Sequence, residues 1–239
     1  MLDSIKIGGM EPASMLEREG FISAIVFVMG CNFRCPFCHN PDLLKPDERE
    51  IVPYPIKELI RDLNKKKDWI DSVIFTGGEP TIYNELPLLI EKLNKMGFSL
   101  GLHTNGTNPS MVDYLIEADL IDYLTMDLKN TELKYPETAG VKKINLEKIK
   151  DSIDLIKKAP RKIETVFRTT IVPGLITQED IDAIGGLIKG ARAVSLQQFR
   201  PMKCLDKKYE KMKPYEVEIL HKMADVLEKY VEEVRREFV

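Results

Sequence analysis

Three of the chain's four cysteines fall in the run Cys31-Asn32-Phe33-Arg34-Cys35-Pro36-Phe37-Cys38. Thiolates are soft ligands that select zinc or the iron of iron–sulfur clusters. A structural zinc site closes with four ligands, commonly as two short pairs. Here the second pair is missing, because Cys204 is far away in sequence and His103 and His221 make no pair. Zinc ligation completed by His39 or Cys204 stays open as an alternative. So do three buried thiols that bind nothing, and a disulfide with one thiol left over. A cubane cluster takes one cysteine at each of its four irons. Three cysteines would leave one iron open to a small molecule, to which it could pass an electron.

Such a site has to be held by regular elements. The run Ile22 to Met29 is apolar and rich in β-branched residues, and reads as a buried strand ending at Gly30. The cysteines then follow the C-terminal end of a strand, where parallel α/β sheets and barrels place their chemistry. Further strands are expected at Ser72–Phe75, Ser99–His103, Ile121–Leu128, Ile163–Ile171 and Ala193–Phe199. Helices are expected between them, at about Ile56–Lys66, Glu85–Met96, Pro109–Glu117, Leu146–Lys157 and Gln178–Lys189. Alternation at this spacing implies right-handed βαβ units and a parallel sheet. Six units are too few for an eight-fold barrel. The expected fold is α/β, a partial (β/α)6 barrel of parallel strands. One domain is expected over residues 1–239, with its core at about 22–201 and a charged amphipathic helix at about 214–236. The first 20 residues read as irregular or as a short opening strand, and Asn40-Pro41-Asp42 with Pro46-Asp47 marks a longer loop.

Polar clusters sit where these strands end, so all would line one mouth. Gly77-Gly78-Glu79-Pro80 lets backbone approach a ligand closely. Thr104-Asn105-Gly106 comes next. Asp127 and Lys129 are two apart on a strand and project to one side. Buried together, they must pair or meet a charged ligand. Arg168 has a guanidinium suited to a carboxylate, and Gln197-Gln198-Phe199-Arg200-Pro201 ends the last strand.

The pattern C-x3-C-x-aromatic-C, with Phe37 as the aromatic, resembles the cluster motif of radical S-adenosylmethionine (SAM) enzymes. That resemblance implies a [4Fe-4S] cluster on Cys31, Cys35 and Cys38, SAM chelating the open iron, and reductive cleavage to a 5′-deoxyadenosyl radical. Gly77-Gly78-Glu79 resembles the family's motif for the SAM amino group. Thr104-Asn105-Gly106, the Asp127-Leu128-Lys129 run and Arg168 resemble motifs of the glycyl-radical activating subfamily. His103 stands where those relatives carry an acidic residue of a cation site, and Arg200 near a histidine facing the adenosyl end. The implied SAM contacts are Phe37, Gly77, Gly78, Glu79, Thr104, Asn105, Asp127, Lys129, Arg168 and Arg200. The implied partner is a protein substrate: anaerobic ribonucleoside-triphosphate reductase first, on the likeness of Gly30 to Pro41 and of Asp122-Tyr123, or another glycyl radical enzyme. An external electron donor such as flavodoxin or ferredoxin is also implied. A radical SAM enzyme for a pyruvate formate-lyase-type enzyme, a small molecule or a modified nucleoside is the alternative. A non-catalytic zinc module is the alternative of another class.

Composition narrows the classes. The net charge of −3 is mixed along the chain, without the basic patch of a nucleic-acid binder. With 44% hydrophobic residues a large core is feasible. The longest apolar runs fall short of the ~20 residues of a membrane span. The run Met1 to Lys6 has no signal-peptide core, which with reduced thiols leads to the expectation of a cytoplasmic protein.

Overall fold

The apolar runs become strands because each is buried on both faces. A computed structural model of the chain describes residues 2, 4–44 and 52–238; the expected loop marker Pro46-Asp47 lies outside them. Strand β1 (Ile7–Ser14) pairs antiparallel with β2 (Ser23–Val28). From β2 onward every pairing is parallel: β3 (Ser72–Gly77), β4 (Ser99–Thr104), β5 (Tyr123–Asp127), β6 (Glu164–Ile171), β7 (Ala193–Gln198) and β8 (Glu233–Glu237). The sheet order follows the chain order, β1 to β8, leaving β1 and β8 as edges. The expected alternation is borne out by β2 to β7, which form the open parallel sheet.

The helices cover one face of that sheet. They are α1 (Ile56–Lys65), α2 (Leu86–Asn94), α3 (Pro109–Glu117), the short α4 (Tyr135–Ala139), α5 (Leu146–Lys158), α6 (Gln178–Leu187) and α7 (Val217–Leu227). Their starts are fixed locally. Asn145 caps α5 by accepting from the amides of Glu147 and Lys148. Thr177 and Asp180 form a reciprocal capping box at α6. The inward stripe of α5, Ile149, Ile153 and Ile156, joins the main core with the helix-side residues of the strands, such as Val26, Phe75, Leu102 and Val194.

The opposite face of the sheet lines the lumen. Its apolar rung is small and separate: Ile25, Ile74, Tyr123, Val166 and Ala193, with Phe27 against them. Below it Ser23 and Ser72 share a 2.6 Å hydrogen bond, and Arg18 bonds Ser99 and Glu164. Above it the lumen turns polar, toward the strand C-termini.

The chain ends differ from expectation. The helix expected at 214–236 stops at Leu227, and the chain returns as β8 beside β7. Apolar residues at 220, 223, 224, 227, 231 and 234 keep a helical rhythm through the whole stretch. The free edge of β7 overrides that rhythm, because its unpaired backbone groups gain a parallel ladder. At the other end β1 is a full strand despite Gly8, Gly9 and Pro12; a proline is tolerated on an edge. Among the described residues no helix is long and apolar enough to cross a membrane.

Candidate functional site

The cysteine loop leaves β2 and is fixed at its root before the first thiol. The Gly30 amide bonds the Leu43 carbonyl at 2.6 Å, the Tyr83 hydroxyl donates to the Met29 carbonyl at 2.7 Å, and the Glu79 amide donates to the Gly30 carbonyl at 2.8 Å. That last bond lays the Gly77-Gly78-Glu79 turn flat against the loop. A Cβ on Gly78 would collide with the Gly30 carbonyl, and Gly77 has φ +102° with the Val28 backbone beside it. Within the loop Arg34 ties its own turn, its guanidinium donating to the carbonyls of Cys31 (2.5 Å) and Phe33 (2.7 Å). Its amide bonds Ala139 at 2.9 Å, anchoring the loop to α4.

All three loop thiols are free, and they face one pocket. Burial pushes Cys31 up to about 12, with the Glu79 charge adding to it. Burial likewise pushes Cys35 up to about 11 against the Lys129 ammonium, and raises Cys38. Neutral thiols of this kind release protons when a metal takes them as thiolates. Among the described residues no three His, Cys, Asp or Glu side chains gather closely enough to hold a single metal ion. A cubane takes each thiolate on a different iron, so the thiols need not meet at one point. Three thiols turned to one pocket, beside a glycine floor that a Cβ would fill, fit such a group with a small molecule against it.

Glu79 joins two strand ends. Its side chain is 1% exposed. Oε1 accepts from the Thr81 amide (3.1 Å), the Thr81 hydroxyl (2.6 Å) and the Thr104 hydroxyl (2.7 Å), and Oε2 accepts from the Asn105 amide (2.7 Å). Burial raises its carboxyl pKa, and these four donors limit the rise. Asn105 in turn donates to the Asn32 side chain at 2.8 Å, so the cysteine loop, the glycine turn and the end of β4 form one network.

On the far side Asp127 sits between two cations. Arg168 Nε is 2.7 Å from Oδ1 and Lys129 Nζ is 3.0 Å from Oδ2. Burial would raise the Asp127 carboxyl, but these two cations hold it well below the usual carboxylate range. Arg168 also faces His103 Nδ1 at 3.4 Å and the Glu17 carboxylate at 3.7 Å. A guanidinium only donates, so Nδ1 accepts and Nε2 carries the proton. Among the described residues that Nε2 is buried without a hydrogen-bond partner. Burial and Arg168 hold His103 well below its ordinary pKa. A depressed carboxyl contributes stability that is present above its unfolded pKa of about 3.9 and lost as pH falls toward the folded value. Asp127→Asn is therefore expected to destabilise by about 2 kcal/mol at pH 7, with the gap to wild type closing below about pH 4. Denaturant unfolding across that pH range checks it.

Two hollows open at this end of the sheet. The smaller, about 190 Å³, is lined by Cys31, Cys35, Phe37, Cys38, Gly77, Gly78, Glu79, Thr104, Asn105, Asp127, Lys129 and Arg168, so the residues expected from sequence come together there. Arg200 does not join them. It lines the larger cleft, about 830 Å³, with Glu17, Ser195, Gln197, Met202 and Glu237. His39, Arg168 and Thr170 border both. Cys204 faces neither hollow; it is buried behind the loop, its Sγ 3.8 Å from the Phe37 carbonyl. Glu17 was not foreseeable from spacing, since it reaches Arg168 from an irregular turn after β1. Asn32 carried a weak signal, a polar side chain inside the cysteine run.

Comparison with known proteins agrees with this arrangement. The model of the Radical SAM superfamily matches residues 25–185, from β2 into α6. A protein of Methanocaldococcus jannaschii, provisionally named a glycyl-radical enzyme activating enzyme, is 31% identical over 232 residues, covering 95% of this chain and 94% of its own. The pyruvate formate-lyase-activating enzyme of Clostridium pasteurianum is 30% identical over 243 residues, covering 96% of this chain and 98% of its own. Among solved structures, SuiB of Streptococcus suis bound to the precursor peptide SuiA superposes with a TM-score of 0.65 at 19% identity, covering 87% of this chain and 47% of that one, a likeness of fold. Enzymes of the matched superfamily work with a [4Fe-4S] cluster and SAM, and the thiol-lined mouth of this open sheet has the chemistry to take both. The chain belongs to the radical SAM superfamily.

Proposed function

We propose that the protein activates a glycyl radical enzyme, with anaerobic ribonucleoside-triphosphate reductase as the first candidate partner. The observation that carries the reading is the joining of two neighbouring hollows through Arg168 and His39: a small thiol-lined one and a larger one open along the sheet edge. The first suits the cofactors, and the second suits a segment of another polypeptide. The two full-length relatives named as activating enzymes support it. The chain is read as one domain built on the eight-stranded sheet.

In this reading Cys31, Cys35 and Cys38 hold the cluster. Loaded with the cluster and SAM, the site would supply one-electron cleavage of SAM to methionine and 5′-deoxyadenosine, the latter's hydrogen coming from a glycine Cα of the partner. The protein's own residues orient and shield. Gly77 and Gly78 leave room for the amino acid end of SAM beside the loop, and Phe37 closes the pocket wall. Glu79 fixes the turn; its carboxylate already accepts from four protein donors, so the SAM amino group would meet backbone carbonyls of that turn. Thr104 and Asn105 extend the same wall, and Asp127, Lys129 and Arg168 offer paired charges to the carboxylate and ribose. Arg200, in the larger cleft, faces the partner. An external donor such as flavodoxin or ferredoxin supplies the electron.

The test uses anaerobically reconstituted protein, reduced with dithionite, mixed with SAM and the candidate reductase. The expected result is a glycyl doublet in the electron paramagnetic resonance spectrum, matched one for one by 5′-deoxyadenosine. SAM cleavage without the doublet would remove the partner and keep the radical chemistry. Stoichiometric zinc without sulfide would remove both.

A further inference from the structure

The cysteine loop is held from behind by the segment that follows β7. Phe199 at its start is fully buried, packed edge-on against Tyr209 at 6.3 Å and tilted against His39 at 6.0 Å. Three successive carbonyls of the loop then accept from three successive residues of the segment. The Asp206 amide bonds Pro36 at 2.8 Å, the Cys204 thiol bonds Phe37 at 3.8 Å, and the Leu205 amide bonds Cys38 at 3.1 Å. In the other direction His39 Nε2 reaches the Arg200 carbonyl at 3.0 Å. A carbonyl only accepts, so that nitrogen carries the proton. Lys203 closes the seam by an ion pair with Asp42.

These contacts fix backbone on both sides. Once the carbonyls of Pro36, Phe37 and Cys38 are committed, the loop cannot turn its thiols without breaking bonds whose partners would be left unsatisfied. Arg200 and Met202 of the same segment line the larger cleft, while His39 borders both hollows. One stretch of chain is thus a wall of the cleft and the backing of the thiol loop.

We propose that residues 199–206 are a positioning strap for the cysteine loop, with His39 as the residue that latches it. The proposal rests on the reading of that loop as the cluster-binding loop. His39 touches no reacting atom in this account; it acts through the Arg200 carbonyl.

The experiment compares wild type, His39→Leu and His39→Gln, the last keeping an N–H donor at comparable reach. In the protein without cofactors, amide hydrogen exchange at Leu205 and Asp206 is expected to be slow in wild type, several-fold faster in His39→Leu, and slow again in His39→Gln. After reconstitution to equal iron and sulfide, the resonance spectrum of reduced His39→Leu is expected to broaden and shift, with the wild-type shape returning in His39→Gln. His39→Leu with wild-type exchange and a wild-type spectrum would overturn the strap. Absence of iron and sulfide from reconstituted wild type would overturn the cluster reading instead, and the exchange rates would still decide the latch.

Discussion

Cys35→Ala protein, reconstituted with iron and sulfide under anaerobic conditions and then reduced, is expected to form no measurable 5′-deoxyadenosine from SAM. The loss should be at least about a thousandfold, or some 4 kcal/mol in the barrier. Cys35 is the most buried of the three loop thiols, at 8% exposed, and sits beside Lys129 on the inner side of the pocket. Removing it leaves two thiols for a group that needs one protein ligand on each of three irons. The fold should survive, because the loop is held by backbone bonds from Arg34, Leu205 and Asp206 that involve no thiol. The apo variant is therefore expected to melt within a few degrees of wild type. Normal turnover in this variant would take Cys35 out of the ligand set.

A second large effect is expected at Glu79. Glu79→Gln keeps the shape and loses one acceptor oxygen. If the amide nitrogen takes the place of Oε2 it faces the Asn105 amide; if it takes the place of Oε1 it faces the Thr81 amide. A threonine hydroxyl can rotate to accept, but a backbone N–H cannot. Either orientation leaves a buried donor against a donor, at a cost of about 3 kcal/mol. For a chain of this length that corresponds to a fall in Tm of about 6–12 °C. Thermal unfolding of the apo protein measures it without any cofactor. A Tm unchanged in Glu79→Gln would mean that the four bonds do not hold the glycine turn. The effect separates two roles often merged in one motif: the glycines make room, and the acid ties the turn to β4.

The helix-to-strand rhythm of the sequence was enough to place β2 to β7, because each strand is an apolar run that stops at glycine, proline or a polar cluster. The residues that line the smaller hollow were legible for the same reason: a strand end fixes where the next few side chains go. What stayed hidden depends on pairing across long separations. The stretch Val231 to Glu237 carries charges on nearly every residue and a helical spacing of its few apolar ones; only the free edge of β7 makes it a strand. Glu17 meets Arg168 across about 150 positions, a contact that no local pattern encodes. Arg200 lies just past the end of β7, yet it lines the neighbouring cleft and not the smaller hollow, because the chain turns there to reach behind the cysteine loop.

The two sheet edges leave a seam. In a closed barrel the ladder hydrogen bonds fix the circumference, and widening it means breaking a row of them. Here, among the described residues, β1 and β8 each pair on one side only, so the wall has a margin at either end of its strand order. What links the two margins is side chains and not a ladder: Arg18, just past β1, meets Glu164 of β6 at 3.0 Å, and Glu164 also meets Arg235 of β8 at 3.1 Å. Arg18 is buried and also bonds Ser99, so this closure reaches into the lumen between the two margins. The seam is thus held by charge pairing, while the strand ends that carry the thiols keep the register of the parallel ladder from β2 to β7.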